Sequence, residues 1–111
     1  MIDLDKVREI HVYSAPVDMR MGIRALQILV YTNFSPAQTL YFVFLFVSKN
    51  RKAVKIYYED ERGTWLMLNK IGYGRFIWPH LEEGDEMTKA DLRFLLAGVE
   101  IKSMRKLQIC V

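Results

Sequence analysis

Cationic side chains are the residues of this sequence whose types and spacing best suit chemistry. The densest group is the run Lys49-Asn50-Arg51-Lys52, whose composition is typical of a hairpin turn. Arg51 can donate two parallel hydrogen bonds to a phosphate or to a guanine edge, whereas Lys49 and Lys52 act as point charges. The run therefore predicts contact with a polyanion. The alternative is a solvated polar turn, which is common on protein surfaces.

A second pair of cations, Arg20 and Arg24, is spaced four residues apart, which places both on one face of a helix. The first turn of a helix already carries a positive partial charge, so an arginine there is unfavourable without an anionic partner. Asp18 or Glu9 would supply that partner from within the chain. A phosphate is the other candidate, because helix N-termini bind anions well.

A third cation, Arg75, precedes two aromatic residues, Phe76 and Trp78. Exposed rings can stack on nucleic-acid bases, which contributes ~1–3 kcal/mol per base. Burial is favoured for both rings, because phenylalanine and tryptophan in an alternating strand more often belong to the core. Arg75 is the better candidate for a surface contact. The same choice between interface and burial, with burial as the default, applies to Tyr57, Tyr58, Trp65 and Tyr73.

No catalytic motif accompanies these cations. The two histidines, His11 and His80, lie near no serine or cysteine in a nucleophile motif, and there is no glycine-rich phosphate loop. One acidic loop rarely supplies a complete magnesium site, because such sites use carboxylates fixed on several elements. That loop contains Glu82, Glu83, Asp85 and Glu86. We therefore expect a protein that is not an enzyme and that uses neither a metal nor another cofactor.

The length and composition predict one domain over residues 1–111 with enough apolar content for a single core. Cys110 is the one cysteine, which excludes a disulfide framework and fits a reducing cytosol. The longest apolar run, 40–47, is far shorter than the ~20 residues that a membrane span needs, and residues 1–10 lack an apolar signal core. We expect a cytoplasmic protein without a membrane partner. The net charge of +3 is only mildly basic and supports nucleic-acid binding weakly.

Hydrophobic periodicity and turn residues predict an α+β fold. Asp18 has the position of an N-cap for the first helix, and Thr88 with Asp91 resembles a capping box for the second. Gly98 is the predicted C-cap of the second helix. Gly22, which costs roughly 1 kcal/mol inside a helix, predicts a close backbone approach. The predicted strands are 7–13, 41–47, 54–58, 65–70 and 75–78, and the predicted helices are 19–31 and 88–97.

Short connections between strands favour hairpins, so we expect a mostly antiparallel sheet of about five strands. Its apolar face is expected to pack under both helices, and a sheet curled towards a barrel is the structural alternative. The run 41–47 is apolar on both faces, which predicts a central strand. Residues 80–86 are expected to form an acidic loop. The sequence does not decide the structure of the segment 99–111, which could contain an edge strand followed by a basic tail.

Several short motifs occur in an order that resembles one protein family. They are Pro16-Val17-Asp18-Met19-Arg20-Met21-Gly22 after an aromatic strand, the basic turn 49–52, Lys55-Ile56-Tyr57-Tyr58, Gly74-Arg75-Phe76-Ile77-Trp78-Pro79, and Leu95-Leu96-Ala97-Gly98-Val99. In this order and spacing the chain is similar to the small TnpB-type accessory proteins of the insertion sequence sixty-six family of bacterial transposable elements. These proteins share only a name with the RNA-guided TnpB nucleases.

This resemblance implies a non-enzymatic accessory role in DNA transposition, beside a separate and larger transposase. The residues add a mechanistic hypothesis, in which a cationic face contacts nucleic acid, with DNA at the ends of the insertion sequence as the expected partner. The predicted binding residues are Arg20, Arg24, Lys49, Arg51, Lys52 and Arg75. The alternative is an adaptor that docks on the transposase through aromatic and methionine side chains without touching nucleic acid. The oligomeric state stays open.

Overall fold

The computed structural model of the protein describes residues 2–76, 78, 88–96 and 108–109. It confirms the α+β class, with one sheet whose strand order is β4-β3-β2-β1-β5. Four strands are four to eight residues long, whereas β5 has only two. The elements in chain order are β1 (Glu9–Val12), α1 (Ile23–Asn33), β2 (Phe42–Val47), β3 (Ala53–Asp60), β4 (Gly63–Lys70), α2 (Lys89–Leu96) and β5 (Gln108–Ile109).

The sheet is mixed rather than mostly antiparallel as predicted. The hairpins β2–β3 and β3–β4 are antiparallel, but β1 runs parallel to both β2 and β5. The connection from β1 to β2 is long and contains α1, which returns the chain to the starting end of the sheet, so the second strand enters in the same direction. Within the described part of the chain, β4 and β5 are the two edges, so the sheet is open and the barrel alternative is not formed.

The fifth strand was predicted in the wrong place. The described residues of 75–78 have no strand conformation, and the short fifth strand is β5, inside the segment whose structure the sequence left open. Phe76 and Trp78 are nevertheless buried, as expected from their residue types. The Trp78 indole Nε1–H donates to the Tyr13 carbonyl at 3.1 Å. This side-chain hydrogen bond helps to hold the segment in the absence of strand pairing.

Both faces of the central strand β2 are covered, as its uninterrupted apolar sequence predicted. Phe42, Phe44 and Phe46 pack with Leu26 and Val30 of α1 on one face. The opposite face of the sheet packs in a second cluster that includes Val43, Leu45 and Val47 of β2 and Leu92 of α2. The two helices thus contribute to different sides of the sheet, and the prediction that both cover one face is wrong. A strand with two apolar faces requires cover on each of them.

The first helix begins later than predicted, at Ile23 instead of Met19. Asp18 does bind a backbone N–H, that of Arg20 at 2.8 Å, but this bond closes a turn before the helix. The N-cap is Gly22, which has an extended backbone and no side-chain cap bond. No atom lies within 4 Å of where a Cβ on Gly22 would stand, so the expected close backbone approach does not occur.

The second helix has the predicted capping box. The Thr88 N–H donates to Asp91 Oδ2 and the Asp91 N–H donates to Thr88 Oγ1, both at 3.0 Å. Each residue therefore satisfies a backbone donor that has no partner within the helix. The predicted C-cap Gly98, the acidic loop 80–86 and Cys110 lie outside the described residues.

Candidate functional site

Three segments that are far apart in the sequence meet where β2 ends and β3 begins. The Val17 N–H donates to the Val47 carbonyl at 2.9 Å, which fixes the segment 16–22 beside the end of β2. On the other side, the Ile71 N–H donates to the Lys52 carbonyl at 2.9 Å, and the Phe76 N–H donates to the Arg51 carbonyl at 2.6 Å. We call the surface formed by residues 16–24, 48–52 and 70–76 the basic end.

The turn between β2 and β3 is closed by its own polar side chains. The Asn50 Oδ1 accepts from the Lys52 N–H at 3.0 Å and from the Ser48 hydroxyl at 2.8 Å. The Ser48 hydroxyl oxygen in turn accepts from the Ala53 N–H at 3.0 Å. These bonds leave Lys49, Arg51 and Lys52 exposed at the tip.

Arg51 has a left-handed backbone, with φ of 59°. This conformation costs a non-glycine residue roughly 1 kcal/mol, and glycine adopts it without that cost. An arginine is therefore present where glycine would relieve strain. The conformation is held by backbone hydrogen bonds, from the Arg51 N–H to the Ser48 carbonyl at 3.0 Å and from the Phe76 N–H to the Arg51 carbonyl, while the side chain is exposed.

Arg20 pairs with Asp18, one of the two carboxylates that the sequence offered as its partner. Its guanidinium contacts Asp18 through Nη2 at 2.6 Å and through Nε at 3.0 and 3.1 Å. The hydrogen bond from this guanidinium is the main reason that the pKa of Asp18 falls to about 2, and the Arg20 backbone N–H adds to the effect. The Arg20 side chain stays 92% exposed, so the pair is an open surface clamp.

The other predicted cations are exposed and form no ion pair with any residue that the structure describes. They are Arg24, Lys49, Arg51, Lys52 and Arg75. Lys70 joins them, because it pairs with Ala53 at the foot of the turn and is also exposed. Sequence reasoning missed Lys70, although its place at the end of a strand was the signal. Asp18 is the one carboxylate of the basic end.

Lys55 is the residue behind this surface that sequence reasoning missed as a site component. Its side chain is buried in β3, and its Nζ donates to the carbonyls of Met19 at 2.7 Å and Met21 at 2.6 Å. A charged donor makes these hydrogen bonds stronger than neutral ones. Lys55 thus holds the segment before α1 against the sheet. A lysine inside an otherwise buried strand was the available signal.

A cleft opens between two segments of the basic end, residues 16–19 and residues 49–50. Its volume is about 810 Å³, and it is lined by Pro16, Val17, Asp18, Met19, Lys49 and Asn50. Three of these side chains are apolar and three are polar, which is the mixture found in sites for small organic groups. The cleft therefore places apolar surface directly beside unpaired cations.

The opposite end of the sheet has the opposite charge. Most carboxylates of the described residues lie where β1 and β2 begin and where β3 turns into β4, and we call this surface the acidic end. Two of its cations are close to carboxylates: Lys6 lies 3.9 Å from Glu61, and Arg62 lies 3.0 Å from Asp60. The carboxylates are Asp3, Asp5, Glu9, Glu59, Asp60 and Glu61.

Two polar groups are buried under α1. The Glu59 carboxylate accepts hydrogen bonds from Thr39 at 2.7 Å, from Tyr31 at 2.8 Å and from the Tyr57 hydroxyl. This network ties the end of α1 and the following loop to β3. Burial, together with the hydrogen bond to Glu59, raises the pKa of Tyr57. A fully satisfied network of this kind fixes the packing of the helix.

The second buried group is His11, which lies in an aromatic box of Phe34, Phe42 and Phe44 at ring-centroid distances of 4.6, 5.2 and 5.2 Å. Neither ring nitrogen has a hydrogen-bond partner among the described residues. The Glu9 Oε1 is 3.7 Å from Nε2, too far for a hydrogen bond. Desolvation lowers the pKa of His11 to about 4.

Among the described residues, no group of three or more histidine, cysteine, aspartate or glutamate side chains could hold a metal ion. Over the same residues, the structure contains no helix with the length and apolar character of a membrane span.

The fold and the site define a small α+β protein in which three cation-bearing segments meet at one end of an open sheet. The family model described as IS66 Orf2 like protein matches residues 8–106, and the chain belongs to this family. The resemblance seen in the sequence motifs is thereby confirmed, and family membership supports an accessory role in transposition. The uncharacterized protein y4hO of Sinorhizobium fredii (strain NBRC 101917 / NGR234) is 29% identical over 84 residues, covering 75% of this chain and 73% of that protein. No solved structure matches the chain.

Proposed function

We propose that the protein contacts nucleic acid through its basic end while a separate transposase carries out the strand chemistry. The observation that supports this proposal is that backbone hydrogen bonds join three distant segments that carry exposed cations, and Asp18 is the only carboxylate in these segments. Unpaired arginines and lysines on one surface are the electrostatic footprint of a polyanion site. The modest net charge of +3 does not weaken the proposal, because the charges are separated between the two ends of the sheet.

The cations do not contribute equally in this proposal. Arg20 is neutralised by Asp18, so it positions the loop more than it attracts phosphate. Arg51 is the central contact, because its guanidinium can hold a phosphate by two hydrogen bonds and it stands exposed at the tip of the turn. Arg24 extends the surface from the first turn of α1, where backbone N–H groups also favour anions.

Binding to a duplex is expected to fall steeply with salt. Each neutralised phosphate releases counterions, so contacts with about four phosphates would weaken binding roughly 100-fold between about 50 and 200 mM salt. Fluorescence anisotropy with a labelled duplex from an insertion-sequence end measures this slope. Affinity that does not change with salt, or no binding of either the duplex or its single strand at the lower salt, contradicts the proposal.

Replacing Arg51 by glycine separates binding from stability. We expect Arg51→Gly to reduce the slope of log affinity against log salt by about 0.9, the loss of one phosphate contact. The free energy of unfolding should stay constant or rise by up to ~1 kcal/mol, because glycine relaxes the left-handed backbone. Lys6→Gln at the acidic end is the matched control and should leave the salt slope unchanged. Equal slopes for Arg51→Gly and the parent protein would remove Arg51 from the interface.

A second candidate function is the adaptor that docks on the transposase. It is favoured by two exposed apolar side chains, Ile28 of α1 at 63% and Leu68 of β4 at 56% exposure. Both side chains lie on the same side of the sheet. Leu68 pairs with Lys55, and the Lys55 side chain extends towards the segment that precedes α1. Capture of purified transposase that is lost in Ile28→Ser and Leu68→Ser, but kept in Arg51→Gly, would identify this role.

A further inference from the structure

We propose that the basic end takes an unpaired stretch of nucleic acid, with one base stacked on Tyr73 and another in the cleft between residues 16–19 and 49–50. This inference rests on the proposed function and specifies its ligand. Phosphates between the two bases would lie along the cations of the turn. The ligand class is therefore a single strand or the unpaired part of a duplex.

Tyr73 is the first observation. Its side chain is 96% exposed, although large aromatic residues are usually buried. It lies between Gly72 and Gly74 in a segment that is anchored on both sides, through Ile71 to Lys52 and through Phe76 to Arg51. The ring is thus presented to solvent from a fixed backbone, close to Arg51. An exposed ring beside cations is how proteins bind single strands, because every base has a stacking face.

The cleft is a second, independent observation. Pro16, Val17 and Met19 give it an apolar side, and Asn50 gives it a polar one. The Asn50 side-chain oxygen is engaged by Ser48 and Lys52, which fixes the orientation of the amide. The amide nitrogen keeps two donors, and no described residue accepts a bond from it. A base can fill the apolar side and accept from Asn50 through a ring carbonyl.

Base pairing would block both features. In a duplex each base face is covered by its neighbours, so neither the Tyr73 ring nor the cleft can reach it without extrusion. Duplex readers instead place a helix or a two-stranded ribbon in the major groove. The surface here consists of turns and loops around a cleft, with its one helix contributing only a first turn.

The test compares four labelled probes of equal length in anisotropy titrations at one salt concentration. The probes are a single strand, its duplex, a strand with abasic sites and the abasic strand paired with its complement. We expect the single strand to bind more tightly than the duplex, and the abasic strand to bind about 10-fold or more weakly than the intact strand. Tyr73→Ala should weaken single-strand binding about 5- to 100-fold. Tyr73→Phe should keep it, because the stacking face remains.

Matched controls keep the outcomes separate. Trp65→Leu removes another exposed aromatic side chain, near the acidic end, and should leave the affinity for every probe unchanged. Tyr73 is almost fully exposed, so Tyr73→Ala should fold like the parent protein. Equal affinity for intact and abasic strands, or Tyr73→Ala without effect, overturns this inference and leaves the proposed function standing. The absence of salt-sensitive binding to every probe overturns both.

Discussion

Lys55→Met is expected to lower the free energy of unfolding by about 3 kcal/mol. The substitution removes two hydrogen bonds from a charged donor, each worth about 1.5–3 kcal/mol, and leaves the Met19 and Met21 carbonyls without their partner. The loss is reduced because the buried charge, which is costly to desolvate, disappears as well. Methionine matches the length of the lysine stem and keeps its packing. Urea denaturation followed by circular dichroism measures the change.

Lys52→Met is the matched control for this experiment. Lys52 lies in the turn three residues before Lys55, is exposed and forms no ion pair with a described residue, so the substitution should change the free energy of unfolding by less than ~0.5 kcal/mol. Hydrogen exchange adds a local readout, since amides of residues 17–21 should lose protection in Lys55→Met before the sheet does. A loss of stability below about 1 kcal/mol, or unchanged exchange at 17–21, would show that Lys55 does not hold this segment.

Acidification is expected to destabilise the protein through His11. The folded pKa of about 4 lies below the value of 6.5 for a free histidine, so the fold favours the neutral ring. The contribution of His11 to the free energy of unfolding is therefore fully present above pH 6.5 and is lost as the pH falls from 6.5 towards 4. The loss from this single group is about 3 kcal/mol at pH 4, because each unit of pKa difference is worth about 1.36 kcal/mol.

His11→Phe isolates this contribution from the carboxylates, which titrate alike in both proteins. Phenylalanine suits the surrounding rings of Phe34, Phe42 and Phe44 and carries no nitrogen atoms without partners. We expect the variant to be more stable by about 1 kcal/mol at neutral pH and to lose less stability between pH 6.5 and 4. Glu9→Gln tests whether the carboxylate 3.7 Å from the ring moderates the effect. Parallel pH profiles for the parent and His11→Phe would show that His11 does not control acid sensitivity.

Local patterns predicted the parts of the fold that depend on local chemistry. The uninterrupted apolar run of β2 required burial on both faces, and the structure has it. The spacing of Thr88 and Asp91 predicted a reciprocal cap, which the structure also has. The direction of β1 was missed, because a strand has the same residue pattern whether it pairs parallel or antiparallel. Asp18 was misplaced because an aspartate that closes a turn and one that caps a helix look alike in sequence.

The candidate site shows the same division. The exposure of the turn cations could be predicted from their residue types, and the match of Arg20 with Asp18 from their closeness in sequence. Residue 17 contacts residue 47, and residue 76 contacts residue 51, through backbone hydrogen bonds. Such bonds do not depend on the side chain, so the residue types give no signal of them. The role of Lys55 could not be predicted, since nothing nearby in the sequence indicates that its partners are carbonyls more than thirty residues away.

The separation of charge along the sheet gives the described part of the chain a dipole moment that points along its strands. In the field of any polyanion such a dipole experiences a torque before contact, so the first collision is biased towards one orientation. Residues around Glu61 would then point away from the polyanion in most encounters. The acidic end would therefore be the surface most often left accessible to a second partner.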